Sequence, residues 1–217
     1  MKIISVAGRK SPLSQVQIDE VYIQLKTYHP NVNFEKTLIE TTGDLDLQTS
    51  LRNLGKTDFF TKEIDDLLLK KKCRVAIHSA KDLPETVAKG LSIVAITKGV
   101  DSSDSLVLKE GMSLESLKKQ ALIATSSVNR EENVLLLRSD FTFQDMRGQI
   151  EARLELLEKG EIDGVVIAEA ALIRLKKTEL NRIRLPGKTT AMQGQLAILA
   201  NQDDLEMKEL FSCLDVR

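Results

Sequence analysis

Short apolar runs alternate with segments of helical period along most of this chain, and that alternation restricts it to folds in which strands feed helices. Ile3 to Ala7 reads as a strand, after which Ile18, Val21, Tyr22 and Leu25 recur at the i, i+3, i+4, i+7 spacing of one helix face. A second strand is expected from Phe34 to Glu40, followed by a loop holding Gly43 and Gly55 and a helix with Phe60, Ile64, Leu67 and Leu68 on its apolar side. Cys73 to Ser79 and Leu91 to Ile96 read as further strands. The pattern then restarts with strands at Leu122 to Thr125, Phe141 to Met146 and Gly164 to Ala168, with a helix carrying Ile150, Leu154 and Leu157 between the last two. Beyond Pro186 and Gly187, Leu196 to Ala200 reads as one more strand, before a helix opened by Asp203 and Asp204.

The polar stretch Thr97 to Asp104 (TKGVDSSD) is the best internal boundary. The expected fold is α/β with two similar lobes: residues 1–97 plus 191–217 form a discontinuous first lobe and residues 98–190 a second. Two crossings between lobes make a hinge, and ligands of α/β sheets sit beyond the carboxyl ends of the strands, so a cleft between the lobes is the expected site. With 217 residues, 42% of them hydrophobic, the chain has material for a substantial core.

Several function classes are disfavoured by composition. Lys and Arg number 31 against 32 Asp and Glu, leaving no cationic excess to drive nucleic-acid binding. Trp is absent, and with 6 Phe and 2 Tyr there is little surface for base stacking. No apolar run suits a signal peptide or a membrane span. Cys73 and Cys213 lie far apart and outside any CxxC, and His29 and His78 are the only histidines, so neither a disulfide framework nor a metal site is indicated. A cytoplasmic monomer that binds neither nucleic acid, membrane nor metal is expected.

Anion-binding signals recur at strand ends. In AGRKSPL, Arg9 and Lys10 precede Ser11, a good N-cap, and Pro12, which suits a first helical turn; a helix N-terminus flanked by cations attracts anions. Taken alone, this segment reads equally well as a capped helix with solvated charges. ALIATSSVNR repeats the arrangement with Thr125, Ser126, Ser127 and Arg130, and MRGQIEAR does so again with Arg147, Gly148 and Arg153, where the glycine admits a ligand close to the backbone. Arg174 extends the set, although a single Arg on a helix is more often solvated. In VAIHSAKDLP an apolar strand runs directly into His78, Ser79, Lys81 and Asp82 at its carboxyl end, where charged side chains face a ligand. The alternative there is a surface ion pair beside a hydrogen-bonded core histidine.

Together these strings resemble the porphobilinogen deaminase family, whose motifs read approximately RKSPLA, VHSMKDVP, GTSSLRR, LRGNVNTRL and GQG. This chain has RKSPLS at Arg9, TTGD at Thr41, AIHSAKDLP at Ala76, ATSSVNR at Ala124, MRGQIEARL at Met146 and MQGQ at Met192, in the family's order. The resemblance implies two lobes like those of type II periplasmic binding proteins, and an enzyme that condenses four porphobilinogen units to 1-hydroxymethylbilane with release of ammonia, in haem biosynthesis. It implies that Asp82, with Lys81, is catalytic, the carboxylate holding pyrrole N–H groups and stabilising the cationic azafulvene left as ammonia departs. Arg9, Ser11, Lys56, Lys81, Thr125, Ser126, Ser127, Arg130, Arg147, Gly148, Arg153, Arg174, Gln193 and Gly194 would bind substrate and a dipyrromethane cofactor, whose acetate and propionate arms suit Arg.

The departures are specific. Asn129 stands where the family has the first of two arginines, and Lys56 and Thr57 occupy a loop the family reads as GGKGLF. A counterpart of the family's third, small domain, with the cysteine that tethers dipyrromethane, is not expected among these residues. Cys213 does not match that cysteine and reads as a small apolar residue, as does Cys73. The alternative function is a non-catalytic module that binds pyrroles or another polycarboxylate.

Overall fold

The computed structural model describes residues 1–52 and 54–217. They form two compact units, one of Met1–Asp46, Lys56–Val100 and Gly194–Arg217, the other of Leu47–Gly55 and Asp101–Gln193. The segment Leu47–Gly55, which the sequence assigns to the first lobe, clusters with the second unit.

In the first unit, β1 (Lys2–Arg9), α1 (Pro12–Tyr28), β2 (Val32–Ile39), a short α2 (Thr42–Leu45), α3 (Lys62–Leu69), β3 (Val75–Ser79) and β4 (Leu91–Ile96) follow in order. The strand β10 (Leu196–Asn201) and helix α7 (Leu205–Phe211) return to it at the end of the chain. The sheet order is β2-β1-β3-β10-β4, with β1 parallel to β2 and β3, and β10 antiparallel to both of its neighbours. A strand covered on both faces has no polar side, which is why LAILA in β10 is an unbroken apolar run rather than an alternation. One face packs Ile4, Val6 and Ile198 against Ile18, Val21 and Leu25 of α1 and Phe211 of α7. The other packs Ala7, Ala76 and Leu199 against Ile64 and Leu68 of α3.

In the second unit, β5 (Asp104–Leu108), β6 (Leu122–Ala124), α4 (Val128–Leu135), β7 (Thr142–Gln144), α5 (Ile150–Lys159), β8 (Gly164–Ala168), α6 (Glu169–Arg174) and β9 (Arg182–Arg184) build a sheet of order β7-β6-β8-β5-β9. Here β6 runs parallel to β7 and β8, and β5 antiparallel to β8 and β9. Leu106, Ile123, Val134, Phe141 and Val166 form its core.

Two strands are unforeseen. The start of β5 reads as linker because Asp104 and Ser105 are polar, yet both are buried: Asp104 pairs with Arg130, and the Ser105 hydroxyl donates to Glu169 at 2.6 Å. The edge strand β9, RIR, has one apolar residue and no periodic signal. TTGD closes into the turn of α2 instead of an open loop, because the Asp44 carboxylate accepts from the Thr41 amide at 3.0 Å. Among the described residues no helix is long and apolar enough to cross a membrane.

Candidate functional site

In the first unit β1 and β3 are parallel neighbours, so the residues just after them share one sheet edge. Arg9 ends β1, and Ser11 caps α1, its hydroxyl accepting from the Ser14 amide at 3.3 Å. Beyond β3 a single 3-10 turn, Ala80–Asp82, carries Lys81 and Asp82, both half-buried. A pocket of about 60 Å3 opens between these elements, lined by Arg9, Ser11, Gln17, His78, Ser79 and Asp82 among others. At roughly 15 Å3 per water position, that is room for about four waters or one carboxylate-sized group.

Arg9 does not face this pocket as an isolated cation. Its guanidinium is bidentate on Asp44, with Nε 3.1 Å from both carboxylate oxygens, and lies 4.6 Å from the centroid of the Phe60 ring. Burial would raise the Asp44 pKa, but the hydrogen bonds from Arg9 and Thr41 outweigh it and hold the carboxyl below its ordinary value. Gln17 is a lining residue that sequence reasoning overlooked; its Nε2 donates to Ser79 Oγ at 2.9 Å. A glutamine among Ser14, Ile18, Val21 and Leu25 on the inner face of α1 was the available signal.

Two polar groups here are buried, His78 among the lining residues and Asp65 outside them. His78 is 6% exposed and Asp65, in the first turn of α3, is 4% exposed; His78 Nε2 and Asp65 Oδ1 stand 4.0 Å apart, neither with a hydrogen-bond partner in the protein. Burial pushes Asp65 up to about 6, aided by Asp58 and Asp66 and opposed by Thr61. Burial, with Arg9 nearby, holds His78 down at about 4. The signs are opposite. Asp65 contributes stability that is full below its unfolded value of 3.8 and lost as pH rises through about 6, whereas His78 contributes stability that is full above 6.5 and lost as pH falls through about 4. Between pH 4 and 6 the two slopes cancel. Asp65→Asn should therefore leave stability rising with pH in this range, and His78→Gln should leave it falling, each by up to about 1.4 kcal/mol per pH unit. Denaturant titrations at several pH values check this, and parallel curves for the two variants would contradict it.

In the second unit the ends of β6 and β7 are clamped together by one side chain: the Ser126 hydroxyl donates to the Met146 carbonyl and accepts from the Met146 amide at 3.0 Å. This sets Thr125 and Ser127 beside Arg147 and Gly148, with α4 starting after Ser127 and α5 after Gln149. Gly148 has φ +94, so the turn needs glycine for its backbone. Arg153 Nε donates to the Gly148 carbonyl at 3.1 Å, and its pKa is lowered to about 10 by burial and then by the charges of Arg130 and Arg147. Three guanidinium groups thus crowd one place. Arg130 is paired with buried Asp104, and Asp145 is the acid that offsets the charge at Arg153. Such a cluster is relieved by an anion. Arg52, unforeseen from sequence, belongs to the same unit and pairs with Glu131. Asn129, standing where an arginine is the family pattern, donates to the Lys188 carbonyl at 2.9 Å and so pins a loop.

Other expected site residues have different surroundings. Lys56 is exposed and not among the residues lining the pocket. Arg174, at the end of α6, is 8% exposed rather than solvated. Gln193 Nε2 donates to the carbonyls of Ser102 and Ser103, and the Gly194 carbonyl accepts from the Val100 amide, so these two residues tie the crossing segments.

Nearly the whole chain aligns with known proteins. Residues 4–209 match the family described as "Porphobilinogen deaminase, dipyromethane cofactor binding domain". The chain belongs to the porphobilinogen deaminase family. It is 35% identical to the porphobilinogen deaminase of Streptococcus sanguinis, over 99% of this chain and 72% of that protein, and 37% identical to that of Legionella pneumophila strain Lens, over 96% and 69%. Among solved structures it is similar to CbnR, a LysR family transcriptional regulator (TM-score 0.57, 14% identity, 97% of this chain and 68% of that one), and to the sulfate-bound regulatory domain of an OxyR2 mutant from Vibrio vulnificus (TM-score 0.54, 11% identity, 99% and 96%). These likenesses show the fold, a two-lobed α/β domain of the type II periplasmic-binding kind.

The family's cofactor can be tested against the residues present. Its carboxylate arms fit the crowded guanidinium groups of the second unit. Covalent attachment does not fit either cysteine of this chain. Cys73 is 2% exposed within the α3-side core, and Cys213, in a 3-10 turn, is half-buried with Sγ 3.4 Å from the Leu210 carbonyl; burial raises its pKa, which opposes the reactive thiolate.

Proposed function

We propose that this chain is a hydroxymethylbilane synthase, condensing four porphobilinogen molecules to 1-hydroxymethylbilane with release of ammonia. The observation that carries this reading is Asp82: an acid at the carboxyl end of β3, on a pocket shared with Arg9 and Ser11, in a chain of this family throughout. No observation favours the binding-module alternative.

The division of labour follows from the groups. Asp82 accepts hydrogen bonds from pyrrole N–H groups and stabilises the positive charge that develops as the carbon–nitrogen bond breaks. Arg130, Arg147 and Arg153, with Ser127, Thr125 and the amides after them, hold acetate and propionate arms and fix the pyrrole's orientation. Arg9, braced by Asp44 and Phe60, and Ser11 at the cap of α1 hold an arm in the first unit, and Lys81 sits on the turn that carries Asp82. A bound dipyrromethane would supply the pyrrole ring to which the first porphobilinogen is joined. It would be held here through its carboxylates by the same arginines. Gln193, Gly194 and Lys56 contribute through the segments that carry them. The balance of 31 Lys and Arg against 32 Asp and Glu leaves no cationic excess to favour a nucleic-acid partner.

Incubation with porphobilinogen, followed by assay of ammonia and tetrapyrrole, tests the activity, and intact mass reports any attached pyrrole. Formation of hydroxymethylbilane is expected. A chain that consumes no porphobilinogen, and whose denatured mass is that of the bare polypeptide, would overturn the reading.

A further inference from the structure

Asp82 stabilises positive charge as a carboxylate while that charge develops, so a separate group is better suited to carry a proton. Each condensation moves a proton: a ring C–H bond breaks as the carbon–carbon bond forms, and the departing nitrogen takes one up. Where two acids in one site have these different tasks, their environments differ, and the molecule has a second acid in a different environment. We propose that Asp65 and His78 form a proton relay at the first unit's pocket, taking the proton from the ring carbon and returning it to the leaving nitrogen. The proposal deepens the deaminase reading and rests on it.

Position argues for the pair. His78 is among the residues that line the pocket while Asp65 is not, so a proton entering from the ligand reaches Asp65 by way of His78. His78 Nε2 and Asp65 Oδ1 are both buried and unpartnered, and their 4.0 Å separation is bridged by one water or closed by a shift of about 1 Å to hydrogen-bond length. Two such orphaned atoms facing each other in a core would be a net cost unless the place has a use. The surroundings leave the pair room for a proton. Arg9, from β1, acts on His78, and Asp82 stands on the same pocket; Asp58, Asp66 and Thr61 act on Asp65. The other strands packed against α3, β4 and β10, carry no charged residue. Above about pH 6 the pair is a carboxylate with a neutral imidazole, able to accept one proton; below it the carboxyl is already filled.

The cycle balances. The aminomethyl nitrogen enters as an ammonium ion, and the carbon–nitrogen bond breaks with its electrons on nitrogen, releasing ammonia. The ring carbon then forms the carbon–carbon bond and gives its proton to His78, which passes it to Asp65; the relay hands that proton to the departing ammonia as ammonium and ends as it began, a carboxylate beside a neutral imidazole.

Two measurements on the full chain test this. The His78 imidazole resonance, assigned by comparison with His29→Asn, is expected to stay that of a neutral ring to below pH 5 and to inflect near pH 6 as Asp65 titrates; the inflection should vanish in Asp65→Asn. An ordinary imidazole titration unchanged by Asp65→Asn would overturn the proposal. In turnover, Asp65→Asn should lower kcat by about 100-fold with KM within about twofold, remove the fall in rate below pH 6, and be partly rescued by Asp65→Glu. If wild type turns over and Asp65→Asn keeps its kcat and pH profile, the relay fails while the deaminase reading stands. If wild type turns nothing over, that reading fails and the relay loses its catalytic role, and the resonance still reports whether the pair shares a proton.

Discussion

Asp82→Asn should abolish most porphobilinogen turnover while leaving binding nearly intact. Asparagine keeps the size of the side chain and an oxygen acceptor for pyrrole N–H groups, so KM should change by no more than severalfold. What it loses is the negative charge opposite the cation that forms as ammonia leaves. Removing one preorganised stabilising group of this kind costs about 10²–10³ in kcat, or roughly 3–4 kcal/mol. Steady-state kinetics on the purified variant decide it. A variant with near-native kcat would place the counter-charge elsewhere and remove the role given to the turn after β3.

Replacing Arg147 and Arg153 together by alanine should do the opposite, removing ligand affinity first. Charge-assisted hydrogen bonds contribute about 1.5–3 kcal/mol each, so two lost carboxylate contacts predict a rise in Kd of about 10²–10⁴ for a dipyrrole or porphobilinogen. The two residues share one cluster, so the effects of the single changes will not sum. A second consequence separates loss of binding from loss of fold. Burial and the charges of Arg130 and Arg147 already disfavour the Arg153 cation, so removing it relieves repulsion in the empty protein. Arg153→Met should bind more weakly yet melt no lower than wild type. Calorimetry with paired melting curves measures both, and a variant that melts well below wild type while binding normally would contradict the assignment.

Most of the architecture was legible in the sequence because its core strands bury apolar side chains on both faces. β3, β8 and β10 are such strands, and their runs stand out without any knowledge of topology. The strand β5 was hidden because its first two residues are polar, and what makes them acceptable in a core, Arg130 and Glu169, lies 26 and 64 residues away. Arg9, Ser11, Asp82 and the arginines after β6 and β7 were legible because they stand at strand ends, where a short motif fixes both the turn and the side chain. Asp44, Gln17, Asp65 and Arg52 were not, since each matters through a partner distant in sequence. Arg9 shows the difference most clearly: its location was readable, but its engagement by Asp44, 35 residues on, was not.

The late arrival of β10 governs how the first unit can be assembled. Leu196–Asn201 fills the place between β3 and β4, and until it is in position those two strands present unpaired edges around a strongly apolar gap. On a growing chain the second unit's segments, ending at Gln193, emerge before this strand does, so it can close while the first is still open. Synthesis interrupted after Gln193 would therefore yield a sticky half-built sheet beside a finished neighbour, and nascent chains of that length should need a chaperone where longer ones do not.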